Sequence, residues 1–181
     1  MNLHLVCTFI FGLKTLKNPS RLGAKNKMIK ILFICHGNIC RSPMAEFCLR
    51  DILKKANASA GVDISSAATS AEEIGNPVYP PARRKLLEHG IDPSGKTARQ
   101  ITRSDYEKYD IIVAMERFNL RNMERFFGND PKAKIRLLMD YTDTPGDVAD
   151  PWYTGDFTEA WNDIEKGCRA MAERIINGKK L

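Results

Sequence analysis

Ile29-Lys30-Ile31-Leu32-Phe33-Ile34-Cys35 leads without a break into His36-Gly37-Asn38-Ile39-Cys40-Arg41 and then into Ser42-Pro43-Met44-Ala45. The first seven residues are a short, nearly continuous apolar run, the pattern of a strand buried on both faces in the interior of a parallel sheet. Ser42 suits a helix N-cap and Pro43 the first helical position. Ala45, Cys48, Leu49, Ile52 and Leu53 then share one face at three- and four-residue spacing. The reading is a strand, a tight loop and a helix.

The same alternation continues along the chain. A second strand is expected over Asp63 to Ser70, and a helix opened by Pro80-Pro81 and stopped at Gly90. Ser104 and Glu107 have capping-box spacing before a third strand, Asp110 to Ala114. Phe118 to Phe127 reads as a helix and Ile135 to Leu138 as a fourth strand. In the last helix Phe157, Ala160, Trp161, Ile164, Cys168, Met171, Ala172 and Ile175 form one stripe. Alternating strands and helices predict an α/β fold of three layers, a central four-stranded parallel sheet of flavodoxin- or Rossmann-like type with helices on both faces. Ligands of such folds bind beyond the carboxyl ends of the strands. The loops after Cys35, Ser70, Ala114 and Leu138 should therefore converge.

With 181 residues and 43% hydrophobic composition, the chain can bury a core without staples. Five of its basic residues, Lys14, Lys17, Arg21, Lys25 and Lys27, lie before residue 28 with no acid among them. The remainder holds 23 basic against 22 acidic side chains, with no basic run interleaved with aromatics, so no nucleic-acid partner is expected. Leu3 to Leu13 is apolar over only 11 residues, short of the roughly 20 that span a bilayer, and no membrane association is expected. Residues 1–27 read as a disordered or non-native N-terminal extension, explained most simply if translation of the natural protein begins at Met28, and residues 28–181 as the domain. Cys7, Cys35, Cys40, Cys48 and Cys168 lack CxxC spacing, which argues for reduced thiols in a cytoplasmic protein rather than a disulfide framework or zinc site. A monomer or weak dimer is the expected assembly.

Cys35 and Arg41 form a Cys-x5-Arg pattern, which by spacing alone is weak. Cys168 and Arg174 repeat it inside the last helix, where the cysteine reads as a small buried hydrophobe. The first match differs in context: a strand ends at Cys35 and a helix begins near Ser42, so the intervening backbone amides can point inward as an anion nest backed by the helix dipole. Gly37 and Asn38 are residue types that tolerate the positive φ such a loop needs. A thiol at the centre, beside Arg41, is expected to be a thiolate nucleophile. Arg41 supplies a planar fork for two phosphoryl oxygens, and Ser42 a hydrogen bond to the thiolate. His36 beside two cysteines cannot converge with them on a tetrahedral metal, so no metal is expected.

A phosphate ester leaving as an alkoxide or phenoxide needs a proton donor. Asp140, Asp143, Asp147, Asp150 and Asp156 follow the fourth strand, and spacing does not choose among them, although Pro151 restricts Asp150 to an extended backbone. Trp152 and Tyr153 offer a wall for a planar phenyl ring, or else they pack on the last helix.

At this point the residues closely resemble the low-molecular-weight protein tyrosine phosphatases. The resemblance rests on Cys35 to Glu46, Ala98-Arg99-Gln100 and Asp150 to Tyr153, and covers about residues 28–178. It implies hydrolysis of phosphotyrosine in proteins, and of small aryl phosphates, through a phosphocysteine, without metal or other cofactor. Cys35 would be the nucleophile, Arg41 the phosphate clamp, Asn38 the loop organiser, Ser42 the thiolate partner and Asp150 the general acid and base. His36, Gly37, Ile39 and Cys40 would complete the phosphate-binding loop, with Cys40 resembling a cysteine that can form a reversible disulfide with the nucleophile.

Two departures stand out. Gly95-Lys96-Thr97 stands where the family commonly has a histidine before Ala-Arg-Gln, so the side-chain network behind Asn38 and Ser42 is in question. Glu72 and Glu73 stand at the cleft wall where animal members carry an aromatic residue. Thioredoxin-linked arsenate reductases share the loop but need a further pair of cysteines, and none lies between Cys48 and Cys168. Protein arginine phosphatases typically have threonine at the position of Ile39. A binding module without turnover would be expected to lack one of the cysteine, arginine or acid.

Overall fold

The computed structural model describes residues 28–181; the extension expected over residues 1–27 lies outside them. Four strands, β1 (Ile29–Cys35), β2 (Val62–Ala68), β3 (Ile111–Ala114) and β4 (Ile135–Leu137), form one all-parallel sheet in the order β2-β1-β3-β4. The expected α/β architecture is met. The register sets Cys35 opposite Ala68 and Ile34 opposite Ala114, so the strands end level along one edge. The chain leaves β1 toward β2 on one side while β3 pairs on the other, the topological switch where doubly wound sheets open a crevice.

Burial of β1 follows its period of two. Ile31, Phe33 and Cys35 face a core built with α1 (Arg41–Lys55), α2 (Pro80–Glu88) and the long C-terminal helix, α6 (Phe157–Ile176). Leu32 and Ile34 face the opposite core, built with α3 (Arg103–Lys108) and α4 (Arg117–Phe127) through Tyr106 and Met123. Both faces of the strand are apolar because helices cover both.

Several boundaries differ from expectation, each for a local reason. Helix α1 begins at Arg41 with Cys40 at the N-cap, and Cys40 O already accepts from Met44 N at 3.1 Å. Ser42 is thus inside the first turn, with its hydroxyl engaged elsewhere, and Pro43 is tolerated because first-turn amides have no helical acceptor. Strand β2 ends at Ala68, two residues early. The capping pair of α3 is not Ser104 and Glu107 but Thr102 and Asp105, whose carboxylate accepts from Thr102 N at 2.8 Å. Strand β3 starts one residue late. Leu138 leaves β4 for a 3-10 turn, Leu138–Tyr141. Pro151–Thr154, read as loop, is a single helical turn, α5.

Gly167 on α6 belongs to the buried stripe although it adds no apolar surface. A β-carbon there would lie 2.5 Å from Leu138 Cγ and 2.7 Å from its Cδ1, so the glycine is what lets α6 seat against the 3-10 turn. On a free helix face Gly→Ala would gain about 1 kcal/mol. We predict instead that Gly167→Ala lowers stability by about 1–3 kcal/mol, read as a lower urea midpoint at unchanged slope; an equal or higher midpoint would contradict this packing.

Candidate active site

The loop from Cys35 to Arg41 runs from the end of β1 into the start of α1. Asn38 sits in the left-handed region at φ 59°, a conformation that Asn adopts more readily than most side chains. Its backbone N donates to Cys35 Sγ at 3.2 Å. Its side chain, almost fully buried, donates from Nδ2 to Ser42 Oγ at 2.9 Å and to Ser66 Oγ at 2.8 Å, while Oδ1 accepts from Arg99 N at 3.2 Å. Gly37 departs from expectation. It is not among the residues with positive φ; a β-carbon there would meet Glu73 Cγ at 3.2 Å, so the position needs room rather than conformational freedom.

Cys35 is 3% exposed, and Ser42 Oγ lies 3.0 Å from its sulfur. Arg41, equally buried, donates from Nη2 to Asp150 Oδ2 at 2.6 Å and to Glu116 Oε1 at 2.9 Å. Burial alone would lower the Arg41 pKa, but Cys35, Asp150 and Glu116 outweigh it and hold the guanidinium cation more firmly than usual. Burial, reinforced by Cys35 and Asp150, pushes the Cys40 thiol up to about 12. Cys40 is therefore a protonated thiol beside the loop, not a second thiolate. Ile39 and Cys40 face the core, and Ile39 O accepts from Tyr79 N at 2.9 Å.

Geometry separates the five aspartates. Asp150 caps α5, its Oδ1 accepting from Trp152 N at 3.1 Å, and it alone of the five bonds to Arg41. Asp140 Oδ2 accepts from Leu137 N, Asp143 pairs with Lys166, Asp147 accepts from Arg117 N, and Asp156 caps α6. Pro151 after Asp150 opens the helical turn that this cap closes.

Trp152 and Tyr153 do not join the core; they are 61% and 87% exposed. Trp152 packs on Tyr79 with ring centroids 5.6 Å apart. On the other side of the loop, His36 Nε2 lies 3.2 Å from Glu72 Oε2, and its ring is 6.4 Å from that of the half-exposed Phe118. The second Cys-x5-Arg match is structural, as expected: Cys168 is fully buried with its sulfur toward Ala45 O, while Arg174 lies over the Tyr141 ring.

A strand-to-helix loop around a buried cysteine, closed by an arginine that an acid from the opposite end of the chain holds, is the arrangement to compare with known proteins. The sequence matches the low molecular weight phosphotyrosine protein phosphatase family across residues 30–180. The chain belongs to that family. It is 36% identical over 156 residues to the low molecular weight protein-tyrosine-phosphatase YfkJ of Bacillus subtilis, covering 85% of this chain and 100% of that one. It is 39% identical over 149 residues to the human low molecular weight phosphotyrosine protein phosphatase, covering 80% and 94%. The crystal structure of YfkJ aligns with a TM-score of 0.82 at 35% identity over 87% of this chain and 100% of that one. A low molecular weight protein tyrosine phosphatase from Streptococcus pyogenes aligns at 0.72 and 38% identity, covering 81% and 93%.

For this phosphatase-family member the sequence reading missed three side chains at the loop. Glu116 grips Arg41 beside Asp150. Tyr79 backs Trp152. Glu46 lies beneath Asn38, accepting from Ser66 Oγ at 2.6 Å. Glu46 had a signal: it lies four residues after Ser42 and four before Arg50, on one helix face with both. The network left in question at Lys96 is present in another form, since Lys96 Nζ lies 3.1 Å from Glu46 Oε2 and 3.2 Å from Ser66 O.

Asn38 supplies both a backbone conformation and three side-chain hydrogen bonds, and two substitutions separate them. We predict that Asn38→Gly lowers stability by about 1–2 kcal/mol for the lost bonds, and Asn38→Ala by a further 1–2 kcal/mol or about that for left-handed strain. Urea midpoints read the difference, and equal losses would mean that the loop relaxes out of the left-handed region.

Proposed function

We propose that this protein hydrolyses phosphotyrosine in proteins through a covalent phosphocysteine on Cys35. The observation that carries the reading is the 2.6 Å contact between Arg41, at the end of the buried Cys35 loop, and Asp150, 109 positions further along the chain. One clamp for phosphate, one proton carrier and one nucleophile thereby share a single site. Arg41 Nη1 is buried with no hydrogen-bond partner, a donor left for a ligand oxygen.

In this mechanism the phosphoryl group enters the loop, where backbone amides of His36 to Arg41 and the Arg41 fork take its oxygens. The arriving dianion takes over Arg41, which releases Asp150 to serve as the proton donor. The Cys35 thiolate attacks phosphorus; the bond to the phenolic oxygen breaks as Asp150 delivers its proton there. Water then attacks the phosphocysteine, Asp150 takes its proton, and the thiolate departs with a hydrogen bond from Ser42. Inorganic phosphate leaves. Every role falls to a side chain or backbone amide, so the proposed reaction uses no metal or other cofactor.

Phosphotyrosine suits the depth of the site. A nucleophile 3% exposed is reached by phosphate on a rigid aryl arm, and Trp152 and Tyr153, with Tyr79 behind, offer that ring a wall. The reductase reading gains no support: besides Cys35 and Cys40, the described cysteines are Cys48 and Cys168, both buried. All four described cysteines are free thiols, which supports a cytoplasmic location. Among the described residues no helix is long and apolar enough to cross a membrane.

The test is phosphate release from an aryl phosphate near pH 6 without added metal, with arsenate reduction followed in parallel. Cys35→Ser should abolish turnover, and Asp150→Ala should lower kcat by about 10²–10⁴-fold. Absence of turnover by the unmodified protein would overturn the reading in favour of phosphoprotein binding, or of a reductase if arsenate were consumed.

Substrate flanks provide a separate test. Glu72 at His36 and Glu73 against Gly37 place two carboxylates at the rim, which disfavours acidic peptides. Phosphotyrosine peptides with basic flanks should show several-fold higher kcat/KM than acidic ones, the gap narrowing with salt. Equal values would remove these residues from substrate choice.

A further inference from the structure

Helix α4 begins at the Arg41 site and leads away from it. Glu116, its N-cap, accepts from Arg41 Nη2 at 2.9 Å and from Asn119 Nδ2 at 3.0 Å, while Asn119 Oδ1 accepts from Met115 N at 3.3 Å. The start of the helix is therefore tied to the site. Asn119 and Met123 are buried, with Leu120, Phe126 and Phe127 packed on the same core. That leaves Arg117, Phe118, Arg121, Glu124 and Arg125 exposed to solvent. Arg117, Arg121 and Arg125 follow one another at four-residue spacing, which puts them in a single row. At 1.5 Å per residue the row runs about 12 Å from first to last. Arg117 is partly answered by Asp147 at 3.7 Å. Arg121 lies over the Phe118 ring at 5.5 Å, and neither it nor Arg125 makes an ion pair among the described residues. Glu124 is the one carboxylate that α4 carries, so the exposed face keeps an excess of positive charge in a domain that is otherwise nearly neutral.

We propose that this face of α4 is a docking track for an acidic segment of the phosphotyrosine protein, several residues removed from the phosphotyrosine itself. The proposal rests on the reading of the Cys35 loop as a phosphotyrosine site and names a further feature of the substrate. Phe118 joins the track to that loop: its ring is 6.4 Å from that of His36 and carries the Arg121 guanidinium over it. Residues next to the phosphotyrosine meet the Glu72 and Glu73 carboxylates at the rim. An extended chain advances about 3.3 Å per residue, so it comes over Arg121 and Arg125 about four to seven residues further on. Charge complementarity selects the occupant. Guanidinium groups with no carboxylate of their own form charge-assisted pairs with Asp and Glu of a ligand, whereas a basic segment is repelled. Phe118, 45% exposed, gives the docked chain an apolar contact between the rim and the arginines. Acidic residues then act in opposite directions according to their distance from the phosphotyrosine, unfavourably beside it and favourably beyond it.

The experiment uses phosphotyrosine peptides whose three residues on either side of the phosphotyrosine are uncharged. An Asp-Glu-Asp-Glu stretch is placed four to seven residues away, on the N-terminal side in one peptide and on the C-terminal side in another, with Asn-Gln-Asn-Gln in the controls. Steady-state kinetics are measured for the unmodified protein, for the double variant Arg121→Glu/Arg125→Glu and for Arg121→Lys/Arg125→Lys, with a small aryl phosphate and thermal midpoints alongside. At least one acidic placement should lower KM by about three- to tenfold against its control with kcat unchanged, and the gain should shrink as salt is raised. The gain should disappear in the glutamate variant and survive in the lysine variant, while turnover of the aryl phosphate, too small to reach α4, stays the same in all three. No gain from either placement, or a gain that persists in the glutamate variant, overturns the proposal. Affinity of the same peptides for Cys35→Ser, with and without the two glutamates, is read by fluorescence anisotropy and follows the same pattern without turnover. The two readings therefore fail separately: loss of aryl phosphate hydrolysis in the unmodified protein counts against the phosphatase, and an acidic segment that leaves affinity unchanged counts against the track.

Discussion

Asn38 holds the site in shape because all its side-chain polar atoms and its backbone conformation are committed at once. At φ 59° it bends the chain so that its own amide reaches Cys35 Sγ, and its carboxamide joins α1 through Ser42, β2 through Ser66 and the segment before α3 through Arg99. The loop has little regular structure of its own between the end of β1 and the start of α1. A buried amide with three satisfied partners is expensive to rearrange. The curl of the loop is thus fixed by elements that belong to the sheet and its helices, so Cys35 inherits their rigidity.

Charge is arranged on the same plan. A guanidinium as buried as Arg41 is untenable alone, and its two carboxylate partners arrive from different parts of the fold. Glu116 comes from the carboxyl end of β3, at the N-cap of α4, and Asp150 from the turn that begins α5. Glu116 holds Arg41 from the N-cap of α4. Asp150 caps a four-residue helical turn in which Pro151 is buried while Trp152 and Tyr153 are exposed.

What the sequence disclosed followed from periodicity and local chemistry. Strand β1 was legible because both its faces are apolar, and α6 because eight apolar side chains keep one stripe. The Cys35 loop was legible because a strand and a helix bracket it, the context that Cys168 and Arg174 lack. The start of α1 was misplaced because a backbone carbonyl, that of Cys40, opens it and no capping side chain marks the spot. Helix α5 has four residues, too few for any period to register. Asp150 could not be chosen from five aspartates by spacing, since what distinguishes it is contact with a residue 109 positions away; the family resemblance, not the spacing, pointed to it.

Lys96 shows most clearly why such contacts escape a reading along the chain. In sequence it is a surface-type residue after a glycine, and Glu46 is one charged residue in an otherwise apolar turn. In the fold the sheet brings Ser66 between them. A carboxylate beneath the loop needs a cation beside it wherever that cation is carried in the sequence, and the side chain that supplies it need only reach. Lysine reaches with a flexible stem and a compact charge where a histidine would reach with a ring. The requirement, therefore, is for a positive charge within hydrogen-bond distance of Glu46 and Ser66 rather than for one residue type. A substitution that departs from a family's usual side chain can then preserve the network behind Asn38 and Cys35.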